Sequence, residues 1–183
     1  MIKKIGAGGF GSVYLAESTD DPTRKFAVKI PLSDVTTFSR DLYAEYVIAP
    51  RIQSPYIARV YPPVRGAIVS LKNKLKQKKF VIQLWMDYYE ESLSKYIDEH
   101  YPGEKGADAK AIEEYLEEIE RMLVHITLGL EFLHNRNYIH RDIKPLNILR
   151  AGRRWVICDL GMIVQTNTVK DVIINRQGTS FEF

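Results

Sequence analysis

The chain has 183 residues, of which 45% are hydrophobic and 27% charged, with a formal net charge of +3. That balance describes a folded globular chain, one domain or two small lobes, and excludes a disordered tail. The charge is too small to mark a nucleic-acid binder, no run is apolar enough to span a bilayer, and Met1–Gly6 lacks the apolar stretch of a signal peptide.

In chain order, residues 1–86 read as strands around one helix and residues 87–183 as mainly helical, an α+β pattern. Gly6-Ala7-Gly8-Gly9-Phe10-Gly11-Ser12-Val13 spells G-x-G-x-x-G-x-V. Glycine lacks a Cβ, so backbone N–H groups can approach a phosphate closely. A dinucleotide-binding turn would need a helix straight after it, whereas Val13 to Ala16 continue as a strand. A strand–loop–strand lid over a nucleotide is the better reading. Ser12–Ala16 and Arg24–Ile30 are β-rich runs joined through Thr19-Asp20-Asp21-Pro22. The second run carries Ala27-Val28-Lys29. Ser39–Ala49 suits a helix ending near Pro50, which has no N–H to donate; it carries Asp41 and Glu45.

Lys72, Lys74, Lys76, Lys78 and Lys79 form a basic run ahead of a strand over Lys79–Leu84. It reads as a solvated loop, with docking of an acidic partner as the alternative. After Met86-Asp87-Tyr88-Tyr89, a helix begins at Glu91-Ser92-Leu93, and Tyr101–Asp108 reads as a loop. Lys110–His134 is the clearest helix: Ile112, Tyr115, Leu116, Ile119, Met122, Leu123, Ile126 and Leu130 recur at helical spacing. Glu113, Glu114, Glu117, Glu118 and Glu120 read as its solvated face. Then follow His140-Arg141-Asp142-Ile143-Lys144-Pro145-Leu146-Asn147, a short strand over Trp155–Cys158, and Asp159-Leu160-Gly161. Asp142, Lys144 and Asn147 bring a carboxylate, a cation and a carboxamide together. Phosphoryl transfer needs such groups to orient a hydroxyl, neutralise phosphate and hold a metal. Cys158 is the only cysteine, so no internal disulfide can form and a reducing compartment, cytosol or nucleus, is expected.

Together these segments resemble the eukaryotic-type protein kinase family. His140–Asn147 is similar to H-R-D-L-x-x-x-N with Ile143 for leucine, Ala27-Val28-Lys29 to the third-strand motif, and Asp159-Leu160-Gly161 to D-F-G. Ser54-Pro55-Tyr56-Ile57 is similar to the family's H-P-N-I. The resemblance implies a bilobal fold, with an antiparallel β N-lobe containing one main helix over 1–86. A hinge and an incomplete, mainly helical C-lobe would occupy 87–183. It implies ATP, Mg2+ and a protein substrate with a serine or threonine acceptor, since a lysine stands two residues after the catalytic aspartate. Asp142 would then be the catalytic base, and Lys144 would contact the γ-phosphate. Asn147 and Asp159 would be the metal ligands. Lys29 would contact the α- and β-phosphates and pair with Glu45, or with Asp41 one turn earlier. Ile5, Gly6, Ala7, Gly8, Gly9, Phe10, Gly11, Val13, Ala27 and Leu149 would surround the nucleotide. Met86 would be the gatekeeper, and Asp87 and Tyr88 would offer backbone hydrogen bonds to adenine. His140 would be structural, and Cys158 would lie near the nucleotide as a small buried residue.

The chain also departs from the family pattern. Gly178–Phe183 resembles G-T-x-x-Y/F, but the A-P-E segment and the later helices do not follow. The apolar face of the Lys110–His134 helix is therefore expected to lack much of its usual cover, leaving a marginal chain that is either a fragment of a longer protein or a truncated gene product. Arg141 suggests control by loop phosphorylation, with Thr166 and Thr168 as candidates; Asn175 stands where a phosphothreonine is common. Leu146, where many relatives that prefer basic substrates carry glutamate, argues against a strong preference for arginine in the substrate. The six chemical groups Lys29, Glu45, Asp142, Lys144, Asn147 and Asp159 are all present, which favours an enzyme over a non-catalytic nucleotide-binding regulator.

Overall fold

A computed structural model describes residues 3–8, 11–31, 43–72, 75–103 and 108–166, with the backbone alone over 66–81. They fold as two compact units, the first drawn from Met1–Ile52 and Arg59–Tyr88, the second from Gln53–Ala58 and Tyr89–Phe183. Gln53–Ala58 goes with the second unit because its backbone pairs there: Ala58 N–H donates to the Ile157 carbonyl (2.8 Å) and Ile157 N–H to that of Tyr56 (2.9 Å).

The first unit is a five-stranded antiparallel sheet: β1 (Lys3–Gly8), β2 (Gly11–Glu17), β3 (Lys25–Ile30), β4 (Val64–Lys72) and β5 (Leu75–Asp87). Their spatial order is β1-β2-β3-β5-β4. Strand alternation sorts the side chains. Ala16, Val28 and Ile30 are buried on one face, with Tyr14, Phe26 and Trp85 packed against them. Apart from Lys74, which lies outside the described residues, the basic run is strand and not loop. Lys72 ends β4, and β5 begins at Leu75, with backbone pairing from Val64↔Gln83 to Lys72↔Leu75. In an antiparallel pair alternate residues exchange backbone hydrogen bonds, so the ladder holds both strands whatever the side chains, and Lys72, Lys76, Lys78 and Lys79 all stand within it. β4 has no counterpart in the sequence reading, and β5 starts earlier than Lys79.

Of the expected Ser39–Ala49 helix, residues 39–42 lie outside the described residues. Ala44–Ile48 is a π-helical turn and Ala49–Arg51 a 3-10 turn. The helical path therefore runs through Pro50, which sits in the first turn of the 3-10 segment, where its missing N–H costs nothing.

Close approach of backbones dictates one glycine in the first unit. A Cβ on Gly11 would lie 2.5 Å from the Ile30 carbonyl oxygen, whereas one on Gly6 would meet nothing nearer than Val13 Cβ at 3.7 Å. Gly11→Ala is therefore expected to cost about 1–3 kcal/mol by overpacking, and Gly6→Ala far less. Urea unfolding of both variants checks this; equal midpoints would contradict it.

The second unit holds α1 (Leu93–His100) and α2 (Ala109–His134) with two small antiparallel sheets, β6 (Tyr138–Ile139) on β9 (Val164–Gln165) and the hairpin β7 (Ile148–Ala151) on β8 (Arg154–Ile157). Ser92 caps α1 by accepting from Lys95 N–H, and Asp108 caps α2 by accepting from Lys110 N–H. Leu93, Tyr96, Met122, Ile126, Ile148, Trp155 and Ile157 form the core, with Tyr115, Ile119 and Leu130 against it. Ile112, Leu116 and Leu123, expected on the same apolar face, are exposed; Leu116 and Leu123 are each 58% accessible. The opposite correction applies to Glu118, which is buried rather than solvated, because two arginines and an indole N–H surround its carboxylate. Gly129 lets α2 approach the Tyr56 carbonyl, 3.0 Å from where a Cβ would stand.

Candidate active site

Each unit presents its own set of the expected functional groups. In the first, β1 and β2 pair through Gly8↔Gly11, so the glycine segment is a strand–turn–strand. Gly9 and Phe10, at the tip, lie outside the described residues. Ile5 stands at an irregularity in the β1–β2 register and is exposed, while Gly6 and Ala7 pair with Val13 and Ser12. Register places the remaining groups: Val13↔Lys29 and Leu15↔Ala27 across β2–β3, then Lys29↔Leu84 and Ala27↔Met86 across β3–β5. Directly opposed residues share a face. Val13, Ala27, Lys29 and Met86 therefore lie on one side of the sheet, opposite the face carrying Val28 and Ala16. Leu84 joins them, a residue the sequence reading did not single out; cross-strand register is the signal that finds it.

Lys29 Nζ pairs with Glu45 Oε1, both largely buried, at 14% and 7% side-chain exposure. Asp41 lies outside the described residues. Beside Glu45, burial pushes the Tyr46 phenol up to about 12, with the carboxylate charge adding to it. Met86 sits between Ala27 and Val60. Asp87 is part of β5, and its N–H donates to the Arg59 carbonyl at 3.2 Å while its carboxylate accepts from Tyr61 Oη at 2.7 Å. The amide of Asp87 is therefore already engaged. Tyr88 follows the end of the strand.

In the second unit the segment from His140 to Asn147 is tied together by its own polar groups. Asn147 Nδ2 donates to both the backbone oxygen (2.9 Å) and Oδ2 (2.8 Å) of Asp142. Lys144 Nζ lies 2.8 Å from the same Oδ2. A 3-10 turn, Pro145–Asn147, closed by Asn147 N–H to the Lys144 carbonyl (2.8 Å), sets this spacing. Asp142 and Asn147 are buried, whereas Ile143 and Leu146 face solvent. Arg141 adopts a left-handed conformation, φ 69°, a strain of about 1–2 kcal/mol. Its Nε holds it there by donating to the Met162 carbonyl at 2.7 Å.

His140 is fully buried, and both ring nitrogens are used. Nε2 lies 3.0 Å from the Cys158 carbonyl, and Nδ1 is 3.2 Å from Asp142 N–H. An amide can only donate and a carbonyl only accept, so the ring is neutral with its proton on Nε2. Burial lowers its pKa from the ordinary 6.5, against the carbonyl and the Asp159 and Asp142 charges. His125, whose Nδ1 accepts from Trp155 N–H, is lowered as well, first by burial and then by Arg121. Folding thus favours the neutral form of both rings. Their contribution to stability is present above the unfolded value of 6.5 and lost as pH falls below it. The urea midpoint is expected to fall between pH 7.5 and 5.5, and by less in His140→Gln; a midpoint that rises on acidification would contradict the assignment.

Asp159 follows β8 in a left-handed conformation, φ 59°, exposed, with Oδ1 3.4 Å from Gly161 N–H. Leu160 is buried, as an apolar plug requires. Burial pushes the Cys158 thiol up to about 12, with Asp159 and Asp142 contributing, so it is protonated and a poor nucleophile at neutral pH. Leu149 lies on β7, bridged to Ser92. Thr166 N–H donates to the Asn137 carbonyl at 2.8 Å; Thr168, Asn175 and Gly178–Phe183 lie outside the described residues.

The donor set of the second unit fits a hard divalent cation. Asn147 spends its amide nitrogen twice on Asp142, so its carboxamide oxygen is the atom that remains for a metal, and the Asp159 carboxylate is exposed. Two oxygen ligands are what magnesium takes alongside waters and phosphate oxygens. Glu91, Glu99 and His100 also bring potential ligand atoms within 4.8 Å of one another. Glu91 is paired with Arg150 and Glu99 with Lys95, so that cluster reads as ion pairing.

The protein kinase domain family model matches residues 1–181, and the chain belongs to that family. It is 28% identical to serine/threonine-protein kinase PknF of Mycobacterium tuberculosis over 178 residues, covering 88% of this chain and 31% of that protein. Serine/threonine-protein kinase C of Synechocystis sp. is 28% identical over 187 residues, covering 98% of this chain and 31% of that protein. Serine/threonine-protein kinase pakH of Dictyostelium discoideum is 32% identical over 168 residues, covering 89% and 28% respectively. The chain thus spans under a third of the length of these relatives.

Proposed function

We propose that the chain carries the chemistry of a protein serine/threonine kinase, moving the γ-phosphate of ATP to a protein hydroxyl. The observation that supports this best is the convergence of Asn147 and Lys144 on one oxygen of Asp142, which holds the carboxylate in a fixed orientation. In this reading Asp142 accepts the proton of the serine or threonine hydroxyl as its oxygen attacks the γ-phosphorus. The bond to the bridging oxygen breaks and ADP leaves with that electron pair. Lys144 balances negative charge on the transferring group. Asn147 and Asp159 would hold Mg2+, which when bound neutralises the charge of the phosphates. Lys29, oriented by Glu45, meets the α- and β-phosphates, and the N–H groups of Gly6–Gly11 line the phosphate chain. Ile5, Val13, Ala27, Met86 and Leu149 offer apolar surface to the base. The Asp87 N–H is engaged with the Arg59 carbonyl, so in this reading Asp87 meets adenine through its own carbonyl, with Tyr88 supplying the other backbone group. Among the described residues no helix is long and apolar enough to cross a membrane. The single cysteine, which allows no internal disulfide, supports a reducing compartment, the cytosol or nucleus.

Labelled γ-phosphate transfer to casein, with Asp142→Asn as control, tests the enzyme reading, and a thermal shift with Mg·ATP tests binding separately. Transfer by the chain and not by the control is expected. Stabilisation by Mg·ATP with no transfer would replace this reading with a nucleotide-binding regulator.

A further inference from the structure

Arg150 breaks the pattern of its own strand. Alternation along β7 turns Ile148 and Arg150 to one side and Leu149 to the other. Ile148 is 5% exposed among the core side chains, and that same side calls for an apolar residue at 150. A guanidinium stands there instead, with 32% of the side chain exposed. Four groups receive it, from α1 and the segment entering it, from α2 and from β8. Nη1 is 3.0 Å from Glu91 Oε2, just before α1, and Nη2 is 3.7 Å from Glu118 Oε1 on α2. The ring centroids of Tyr96 and Trp155 lie 5.3 and 5.7 Å from its central carbon. Glu118 is held in turn by Trp155 Nε1 at 2.7 Å.

The main chain repeats the connection. Arg150 N–H donates to the Glu91 carbonyl at 2.9 Å, and Leu149 bridges Ser92. A hydrogen-bonded bridge between two short segments is weakly specified by itself. A slip of one residue would exchange the faces of Leu149 and Arg150. It would take the guanidinium away from both carboxylates and leave Glu118 buried without that cation, a costly arrangement. An apolar side chain at 150 would fill the volume and leave the burial of Ile148 to oppose the slip without directional help. The planar fork of arginine does penalise it, because it must meet two carboxylates from fixed directions.

We propose that Arg150 is a positioning residue: its pairing with Glu91 and Glu118 locks the register of β7 against the segment entering α1 and thereby places Leu149 for the nucleotide base. The part concerning the base rests on the kinase reading above; the register lock does not.

The test uses Arg150→Met, which keeps the stem and loses the fork, with Glu91→Gln and the double variant. In the ligand-free chain, amide exchange at Arg150 N–H is expected to quicken by about tenfold or more in Arg150→Met, while Ile157 N–H is unchanged. Unchanged exchange at Arg150 overturns the lock. For nucleotide, the KM or binding constant for Mg·ATP is expected to weaken roughly tenfold, with kcat within about twofold. The double variant should be no worse than the poorer single one. Faster exchange with unaltered nucleotide affinity overturns the positioning role, as does a fully additive double variant. A wild-type chain that binds no nucleotide removes the kinase reading and the role at the base with it. The exchange result then decides the register lock alone.

Discussion

Asp142→Asn is expected to lower phosphate transfer by roughly 10²–10⁴-fold, the usual worth of a positioned general base. The substitution is close to isosteric, and its amide oxygen can still accept from Asn147 Nδ2 and Lys144 Nζ, which meet at Oδ2 in the native residue. What it loses is the capacity to take a proton from the acceptor hydroxyl. Lys144 is 38% exposed, so losing its ionic partner leaves it solvated and costs little. The variant should therefore unfold within a few tenths of a kcal/mol of the native chain and bind Mg·ATP unimpaired. A variant that transfers phosphate at the native rate would remove Asp142 from the mechanism. One that fails to fold would show that the carboxylate is needed for structure.

Lys29→Met is expected to act on stability as well as chemistry. Glu45 is 5% exposed, and a buried carboxylate deprived of its cation costs about 3–5 kcal/mol unless it takes up a proton. The helical turn Ala44–Ile48 has its sequence neighbour Ala49–Arg51 and this ion pair to anchor it to β3. Replacing both partners, Lys29→Met with Glu45→Leu, should recover most of the loss, because no buried charge is then stranded. Urea unfolding of the three variants reads this directly. A single variant costing under about 1 kcal/mol, or a double variant no better than the single, would contradict the account. Phosphate transfer is expected to fall in both, since neither retains the ammonium.

The glycine segment, Lys29, the His140–Asn147 run and Asp159 were legible in the sequence because each is a local pattern: short, fixed in spacing and dependent on residue type. The α2 helix was legible for the same reason, its apolar residues recurring every turn. What local pattern missed depends on partners distant in sequence. Lys72, Lys76, Lys78 and Lys79 looked like part of a loop because lysines are commonly solvated, and the nine-pair ladder of β4 on β5 decides otherwise. Glu118 looked like one of five surface glutamates until Trp155, Arg121 and Arg150 closed around it. Pro50 looked like a helix stop, yet a 3-10 turn can hold a proline at its start.

By itself, then, the sequence determined the family and named the candidate groups for its chemistry, since side-chain type and short-range spacing are properties of the chain. Tertiary structure alone decided their arrangement. It pairs Lys29 with Glu45 across 16 positions, fixes the neutral tautomer of His140 between two backbone groups, and engages the Asp87 N–H with the Arg59 carbonyl. The physical reason is that burial and hydrogen-bond direction are set by what packs nearby, and neighbours distant in sequence are assigned only when the sheet register and helix faces are in place.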